Sequence, residues 1–248
     1  MIMSLQGKTA LVTGSSRGIG KAIAFALAKA GCNIILNCSK SSDELVKTQN
    51  ELKDMGYFSF SYLADVSDFE QCKEMFDKIY SLYSNIDILV NNAGISYVGL
   101  FTDSTPEDWK NVLDKNINSV LNCTYFTVPK MVQKKSGSII NISSIWGDRG
   151  ASCEAVYSAS KGAVNSFTKA MAKELGPSKI RVNAISAGVI ETKMIDFLSS
   201  EEKEVLSDEI ALMRFGKPEE IAQVALMLAD ERSEFLTGQV ITVDGCMF

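Results

Sequence analysis

The sequence predicts a doubly wound α/β domain, in which a parallel sheet of about seven strands carries helices on both faces. Three observations predict this fold class. Short apolar runs alternate with longer amphipathic stretches along the whole chain, which is the order of strand, crossover helix and strand. Several runs, such as Ile86–Val90, are almost continuously apolar, as in strands buried on both faces. No repeat or linker divides the 248 residues, so we interpret residues 1–248 as a single domain.

The predicted strands are short, apolar and spread along the chain. They are Thr9–Thr13, Asn33–Asn37, Phe58–Leu63, Ile86–Asn91, Gly137–Ile142, Ile180–Ile185 and Gln239–Val243. Helical periodicity occupies most of the intervals between them. The predicted helices are Ile19–Ala30, Ser42–Met55, Phe69–Tyr83, Pro106–Val132, Ala155–Leu175 and Pro218–Leu228.

One segment, residues 187–213, interrupts this alternation. It leaves a strand and passes through a charged stretch, Ser199–Glu204, before the next well-patterned helix begins at Pro218. A connection of this length inside a compact domain is usually functional, so we predict a mobile substrate loop. The alternative is a surface insertion with short helices of its own.

Composition excludes several kinds of chemistry. The chain contains no histidine, and this excludes a Ser-His-Asp triad, a Cys-His pair and a histidine-ligated zinc site. Acid and base chemistry must therefore use tyrosine, lysine or a carboxylate. The net charge of -5 argues against a nucleic-acid partner, which requires a clustered excess of lysine and arginine.

Cysteine usage and hydropathy indicate the compartment. The six cysteines include no CxxC pair, which favours reduced thiols over a disulfide framework. The amino terminus lacks the pattern of a signal peptide, and no window approaches 18 apolar residues. We therefore expect a cytoplasmic protein that does not enter a membrane, and no metal site.

A glycine-rich turn follows the first strand and leads directly into a helix. Gly14 permits a tight turn, Gly18 lets the backbone approach a pyrophosphate, and Gly20 lets the helix pack close to the strand. Glycines also close ordinary turns, but this position within a strand-helix-strand unit is typical of dinucleotide binding. The fold class is therefore predicted to be of the Rossmann type.

The end of the second strand indicates which dinucleotide binds. An NAD site usually carries an acidic residue there, which accepts hydrogen bonds from the ribose 2′-hydroxyl. Here the strand continues into Asn37-Cys38-Ser39-Lys40, without a carboxylate. Arg17, Ser39 and Lys40 can instead meet a 2′-phosphate, which favours NADP(H), although Arg17 and Lys40 can equally be solvated surface charges.

Tyr157 and Lys161 are the candidates for proton transfer. Residues four apart lie on one helix face, so the phenol and the ammonium can share a site. A phenol has a pKa of ~10, and the ammonium together with a positive nicotinamide favours its ionised form. Lowering the pKa by about three units requires roughly 4 kcal/mol, which two nearby cations can supply. We therefore interpret Tyr157 as a general acid for carbonyl reduction.

Four motifs follow one another along the chain. They are Thr13-Gly14-xxx-Gly18-x-Gly20, Asn91-Asn92-Ala93-Gly94, Ser144 and Tyr157-xxx-Lys161. In this order and at these separations they resemble the short-chain dehydrogenase/reductase family, specifically its 3-oxoacyl-acyl-carrier-protein reductase branch. The resemblance covers essentially the whole chain.

The resemblance implies a role for each catalytic residue. Tyr157 protonates the carbonyl oxygen, and Ser144 donates a hydrogen bond to that oxygen. Lys161 lowers the pKa of Tyr157 and holds the nicotinamide ribose. Asn116 distorts its helix and holds a water in the proton relay.

The resemblance also implies the cofactor contacts. Asp65 and Val66 contact the adenine, while Asn91 lines the cleft beside the adenosine ribose together with residues of the block that follows it. The cofactor-binding residues implied by the turn and the resemblance together are Gly14, Ser16, Arg17, Gly18, Ile19, Gly20, Asn37, Ser39, Asp65, Val66, Asn92, Ala93, Gly94, Tyr157, Lys161, Gly188, Ile190 and Thr192.

Two positions depart from the family pattern. Ala187-Gly188 stands where the family usually has Pro-Gly, which predicts a less restrained loop. Cys246 stands where a second glycine is common. Neither departure touches the predicted chemistry.

The substrate pocket is predicted to include Trp146 and Glu154, between Ser144 and Tyr157. The family usually has a neutral residue in place of Glu154, whose carboxylate can pair with an amine on the substrate. This stretch also resembles reductases that act on a 5-aminopentanone group attached to elongation factor P. The alternative is that Glu154 points to solvent or forms an ion pair between subunits.

Three functions therefore remain open from the sequence: an NADPH-dependent 3-oxoacyl-carrier-protein reductase of fatty acid synthesis, a reductase of an amino ketone or other small carbonyl, and a non-catalytic dinucleotide-binding protein. The first predicts a basic patch near the cleft mouth that docks an acidic carrier protein. The candidates are Lys130, Lys134, Lys135 and Lys179.

The resemblance further implies a homotetramer that packs the helices over Pro106–Val132 and Ala155–Leu175 across subunits. The alternative is that the apolar residues of these helices all face the sheet.

Overall fold

A seven-stranded parallel sheet forms the centre of the molecule. The computed structural model describes residues 5–247, and the strand order is β3-β2-β1-β4-β5-β6-β7 with every neighbouring pair parallel. The strands are β1 (Thr9–Val12), β2 (Asn33–Cys38), β3 (Ser59–Leu63), β4 (Ile88–Asn91), β5 (Gly137–Ser144), β6 (Ile180–Ala187) and β7 (Val240–Val243). The predicted doubly wound α/β fold is confirmed.

Helices cover both faces of the sheet. They are α1 (Gly18–Lys29), α2 (Ser42–Asp54), α3 (Phe69–Leu82), α4 (Pro106–Leu113), α5 (Ser119–Lys134), α6 (Trp146–Arg149), α7 (Ala155–Leu175), α8 (Ser200–Asp208) and α9 (Pro218–Ala229). The strand order reverses between β1 and β4. In sheets of this kind a ligand crevice opens at such a switch point, outside the carboxyl ends of the strands.

The core consists of two layers, one on each face of the sheet. Ala10 and Val12 of β1 belong to the layer that contains Ile23 of α1, whereas Leu11 belongs to the opposite layer with Phe76 of α3. Successive strand residues point to opposite faces, so a strand covered on both sides is apolar at every position. This alternation explains the continuous apolar runs in the sequence.

The predicted helix over Pro106–Val132 is wrong in one respect. A π-helical turn, Asp114–Asn118, separates α4 from α5. Such a turn has i→i+5 hydrogen bonds and inserts one extra residue into the helix. It brings Asn116, predicted to distort its helix, into the turn.

The segment over residues 187–213 has short helices of its own. It contains a 3₁₀ turn, Lys193–Ile195, and helix α8, and Ile190 forms an isolated parallel bridge with Gly216. Met194 and Phe197 expose 47% and 64% of their surface, so this loop buries few of its large side chains. Its mobility stays a prediction.

No helix within residues 5–247 combines the length and the apolar character needed to cross a bilayer. The six cysteines, all within the described part of the chain, are free thiols.

Candidate active site

The glycine turn lies between the end of β1 and the start of α1. Gly14 and Gly18 have positive φ angles of 62° and 55°, a region that glycine adopts without steric cost. A Cβ at Gly20 would lie 2.4 Å from the Gly14 carbonyl oxygen and 2.5 Å from Asn92 Nδ2. The turn therefore requires glycine at each of these positions.

Asn92 and Thr13 hold this turn against the end of β4. The Asn92 side-chain amide donates to the carbonyl oxygens of Thr13 and Gly14, both at 3.0 Å. In return, the Thr13 hydroxyl oxygen accepts from the backbone N–H groups of Asn92 and Ala93, also at 3.0 Å. These four bonds join β1 to β4 across the switch point and fix the shape of the turn.

A cavity of about 1020 Å³ opens above the turn. The predicted cofactor residues that line it are Gly14, Arg17, Gly18, Ile19, Asn92, Gly94 and Thr192. No side chain caps the first turn of α1, and no acidic residue lies in it, so its backbone N–H groups and dipole are available to an anion. The cavity and the uncapped helix end fit the pyrophosphate of a dinucleotide.

Gly20→Ala is expected to distort this turn. The added methyl group displaces the Gly14 carbonyl or the Asn92 amide, so we expect a loss of about 1–3 kcal/mol in the free energy of unfolding and at least a roughly tenfold weaker NADPH affinity. Denaturant titration and NADPH fluorescence measure the two effects. Gly176→Ala is the control, because a Cβ at Gly176 meets nothing within 4 Å. Equal behaviour of the two variants would contradict this account of the turn.

The remaining predicted cofactor residues are not part of the lining of this cavity. Asn37 is buried, and its amide donates to the carbonyl oxygens of Tyr62 and Ala64, so it joins β2 to β3. Gly188 lies against Asp244, where a Cβ would approach to 2.7 Å. Asn37 and Gly188 therefore support the elements around the cleft. The others outside the lining are Ser16, Gly20, Ser39, Asp65, Val66, Ala93, Tyr157, Lys161 and Ile190.

Asn91 was expected beside the adenosine ribose, and this prediction is wrong. Its side-chain amide donates to Asn141 Oδ1 at 2.8 Å and to Thr124 Oγ1 at 3.3 Å, inside the protein. Strand side chains alternate between the two faces, so Asn91 and Asn92 cannot both point into the cleft.

Asp65 forms an ion pair with Lys115 of the π turn. Its carboxylate also accepts hydrogen bonds from the backbone and the hydroxyl of Ser67, at 3.1 and 2.7 Å. Burial acts to raise the pKa of Asp65, but the bonds from Lys115 and Ser67 outweigh it and hold the pKa below its usual range. Lys115 is not predicted from the sequence, because Asp65, its partner, lies 50 residues away.

The π turn presents Asn116 to the chain that follows β4. Asn116 Oδ1 accepts from the Ile95 N–H at 2.8 Å, and its Nδ2 donates to the Ile95 carbonyl and to Ser160 Oγ, both at 2.9 Å. A Cβ at Gly94 would lie 2.9 Å from Asn116 Oδ1 and 3.6 Å from Lys161 Nζ. Gly94 thus brings Asn116 and Lys161 to the edge of the cavity.

Tyr157 and Lys161 lie on α7, and both are buried. The Lys161 ammonium is 5.7 Å from the centre of the Tyr157 ring and donates to the Ile142 carbonyl oxygen at 2.9 Å. Ser144, the last residue of β5, forms a hydrogen bond with the phenol. The structure therefore brings the four predicted catalytic residues together.

Burial shifts the pKa values of both members of this pair. Burial raises the pKa of Tyr157 to about 12, with the Glu154 carboxylate adding to the rise and the hydrogen bond from Ser144 opposing it. Burial lowers the pKa of Lys161 to about 8. In the chain by itself, desolvation disfavours the ionised form of both groups. The predicted lowering of the phenol pKa includes the charge of a bound nicotinamide and stays a prediction.

Glu154 immediately precedes α7 and is half-buried. Burial raises the pKa of its carboxyl, and a hydrogen bond from the Ser96 hydroxyl at 3.2 Å opposes the rise. The salt bridges within residues 5–247 do not include it. Trp146 packs against a small apolar cluster that contains Ile210 and Phe215, so it supports the loop after β6.

The predicted position of the basic patch is wrong. Lys134 is ion-paired with Asp87, just before β4, and Lys135 and Lys179 line a groove beside the first residues of β5 and β6. Lys130 lies near the carboxyl end of α5, above the ring of Tyr80. A crossover helix returns the chain to the amino edge of the sheet, so these lysines lie opposite the cleft within one chain.

Three comparisons place the chain among known proteins. A family model described as Enoyl-(Acyl carrier protein) reductase matches residues 14–247. The 3-oxoacyl-[acyl-carrier-protein] reductase of Thermotoga maritima is 43% identical over 98% of both chains, and that of Aquifex aeolicus is 40% identical over the full length of both. A solved structure of a gluconate 5-dehydrogenase from Burkholderia cenocepacia, in complex with NADP and tartrate, is 31% identical with a TM-score of 0.94, over 98% of this chain and 96% of that one.

A buried phenol beside an ammonium, at the edge of a dinucleotide-type cavity, is suited to proton exchange with a carbonyl or alcohol oxygen, and the protein is an oxidoreductase acting on such groups. By sequence and by fold, the chain belongs to the short-chain dehydrogenase/reductase family.

Proposed function

We propose that this protein is an NADPH-dependent reductase of ketones, and that its substrate is a 3-oxoacyl group carried by acyl carrier protein in fatty acid synthesis. The observation that carries the proposal is the assembly of Asn116, Ser144, Tyr157 and Lys161 beside the glycine turn. The names of the relatives, 3-oxoacyl-[acyl-carrier-protein] reductases at 40–43% identity, support the substrate class. The gluconate 5-dehydrogenase of similar structure, which was solved in complex with NADP, supports the cofactor.

The residues around the cleft would hold NADP(H) at two points. The uncapped amino end of α1 would bind the pyrophosphate, and Arg17, which lines the cavity, would bind the 2′-phosphate through its guanidinium. When bound, NADPH supplies the hydride that reduces the carbonyl carbon.

In this mechanism, the chain's own residues handle the proton. Ser144 and Tyr157 together bind the substrate oxygen, and Tyr157 donates its proton as negative charge develops there. The Lys161 ammonium stabilises the resulting phenolate. Asn116 holds the segment after β4 through Ile95 and holds α7 through Ser160, so it keeps Gly94 and Lys161 in register.

Glu154 favours a second candidate function, reduction of an amino ketone, whether small or attached to a protein such as elongation factor P. The half-buried carboxylate has the Ser96 hydroxyl as its partner and acts on Tyr157 electrostatically. A cationic amine on the substrate would pair with it and relieve the unfavourable burial of its charge.

A side-by-side assay tests both candidates. NADPH oxidation is measured with an acetoacetyl thioester of the carrier protein and with a 5-aminopentanone peptide, and NADH replaces NADPH in a parallel series. Faster turnover of the thioester supports the carrier-protein reductase, and faster turnover of the amino ketone supports the alternative. Dinucleotide binding without turnover of any ketone would support a non-catalytic role instead.

Glu154→Gln is expected to separate the two substrates. If the amine pairs with Glu154, the variant loses about 10- to 100-fold in kcat/KM for the amino ketone, since a charge-assisted hydrogen bond is lost, and keeps its activity on the thioester. Glu174→Gln, at an exposed position near the carboxyl end of α7, is the control. An equal effect on both substrates, or none on either, would exclude amine pairing at this residue.

We also propose that the protein works in the cytoplasm as a homotetramer. Exposed apolar side chains along α4 and α5 support assembly through these helices, with Leu113, Leu121 and Tyr125 exposing 38%, 39% and 65% of their surface. Such a stripe is typical of a surface that is covered in an oligomer. Sedimentation velocity measures the assembled mass, and a monomer at micromolar concentration would contradict the proposal.

A further inference from the structure

Glu44 lies between two cations at the mouth of the cavity. It belongs to the first turn of α2, and its two carboxylate oxygens have different partners. Oε2 accepts from Arg17 Nη1 of the glycine turn at 3.0 Å, and Oε1 accepts from Lys193 Nζ of the loop after β6 at 2.7 Å. Both cations come from segments that line the cavity, so the three side chains form a bridge across it.

The bridge connects segments that lie far apart in the sequence. Lys193 is 149 residues from Glu44, and the neighbouring Thr192 lies directly over Gly18, where a Cβ would meet Thr192 Cγ2 at 3.4 Å. The loop therefore passes over the glycine turn and reaches α2 through one ion pair. Isolated exposed ion pairs contribute only about 0–1 kcal/mol, so this contact has little effect on the free energy of unfolding. It does fix the positions of the Arg17 and Lys193 side chains.

The position of the bridge indicates that it competes with the 2′-phosphate of the cofactor. The end of β2 continues into Cys38-Ser39-Lys40 without a carboxylate, so the ribose 2′-hydroxyl finds no acidic acceptor there. A 2′-phosphate at this position needs cations. Arg17 and Lys40 are the predicted cations, and Glu44 already holds the Arg17 guanidinium and the Lys193 ammonium.

We propose that Glu44 takes the place of the cofactor 2′-phosphate in the free protein. It holds Arg17 and Lys193 together across the cleft, and an incoming 2′-phosphate replaces it on both cations. Recognition of the phosphate and attachment of the loop then depend on the same two side chains. Glu44 is therefore a specificity-determining residue that, by competing with the 2′-phosphate, limits the preference for NADPH over NADH. The inference rests on the proposed use of NADP(H).

Glu44→Gln is expected to increase the preference for NADPH. Removing the competing carboxylate lowers the Kd for NADPH by about three- to tenfold, the scale of one or two exposed ion pairs, and changes the Kd for NADH by less than about twofold. Lys193→Gln raises the Kd for NADPH by a similar factor and leaves NADH binding unchanged. Fluorescence titration of the protein with each reduced dinucleotide measures these constants without a ketone.

Glu51→Gln is a matched control. Glu51 lies on the same helix, is equally exposed, and pairs with Lys21 of α1 at 2.7 Å. This variant changes the net charge by the same amount without freeing Arg17 or Lys193. An equal gain in NADPH affinity in Glu44→Gln and Glu51→Gln would overturn the proposal, since the gain would then not require the release of Arg17 and Lys193.

Hydrogen exchange of residues 191–197 provides a readout independent of affinity. In the cofactor-free protein we expect faster exchange in Glu44→Gln and in Lys193→Gln than in wild type or Glu51→Gln. NADPH should restore slow exchange in Glu44→Gln, where Lys193 can still reach the phosphate, but not in Lys193→Gln. Unchanged exchange in both variants, or an equal effect of NADPH and NADH, would overturn the proposal.

Failure of the wild-type protein to bind either dinucleotide would instead refute the proposed function, and the cofactor-free exchange data would still test the bridge.

Discussion

Tyr157→Phe is expected to lower kcat for ketone reduction by about 10²- to 10⁴-fold while NADPH affinity stays within about twofold. In the proposed mechanism the phenol is the acid that faces the substrate oxygen together with Ser144, and phenylalanine keeps the buried ring while removing only the hydroxyl group. Stopped-flow measurement of NADPH oxidation and fluorescence titration separate the two quantities. Retention of turnover in this variant would refute the assignment of Tyr157 as the proton donor.

A second tyrosine separates proton donation from the loss of a buried hydroxyl. Tyr80 on α3 is also largely buried, and its hydroxyl donates to the Phe126 carbonyl oxygen at 3.0 Å, on a helix remote from the cleft. Tyr80→Phe is expected to lose about 1 kcal/mol of stability, the usual contribution of one hydrogen bond, with unchanged kcat. A comparable loss of kcat in both variants would mean that folding rather than chemistry is affected.

Lys161→Met is expected to abolish most of the activity and at the same time to stabilise the fold. The lysine is buried without a carboxylate partner, and the lowering of its pKa from 10.5 to about 8 corresponds to a penalty of roughly 3 kcal/mol for burying the ammonium. Loss of the hydrogen bond to Ile142 offsets about 1 kcal/mol of this. We therefore expect a gain of about 2 kcal/mol in the free energy of unfolding at pH 7.

The sign of the pH dependence gives a further check on Lys161. Because the folded-state pKa is lowered, the unfolded chain holds more protons between pH 8 and 10.5, and wild-type stability rises with pH in that window. The advantage of the methionine variant should therefore be largest below pH 8 and shrink towards pH 10.5. Lys173→Met, at an exposed position on the same helix, should show no such dependence in denaturant titrations. A Lys161→Met variant less stable than wild type at pH 7 would contradict the burial argument.

The fold could be predicted because both faces of the sheet are covered. Every strand position in β1, from Ala10 to Val12, is buried, and such runs are distinct from amphipathic helices. The ends of a strand are harder to predict where a side-chain hydrogen bond takes the place of the backbone ladder. β4 begins at Ile88 and not at Ile86, since the Asp87 carboxylate accepts the Thr9 N–H at 2.9 Å and the chain turns there.

The site could be predicted where the backbone itself demands a residue type. Gly14 and Gly20 were found because no side chain fits. Polar contacts between distant segments carry no such signal, and Glu44–Lys193 and Asp65–Lys115 were accordingly missed. The direction in which a strand side chain points was also mispredicted. Asn91 was placed in the cleft without regard to the alternation of strand side chains, and it points into the protein instead.

The pair on α7 has one consequence for the direction of the reaction. Burial places the pKa of the Tyr157 phenol at about 12 and that of the Lys161 ammonium at about 8, so raising the pH removes the proton of the lysine first. Alcohol oxidation needs a phenolate as base, yet alkali withdraws the cation that stabilises this phenolate before the phenolate forms. Carbonyl reduction needs only the proton that the phenol already holds at neutral pH. From the residues of the chain alone, the proton at neutral pH therefore lies on the phenol, which is the state that the proposed carbonyl reduction requires.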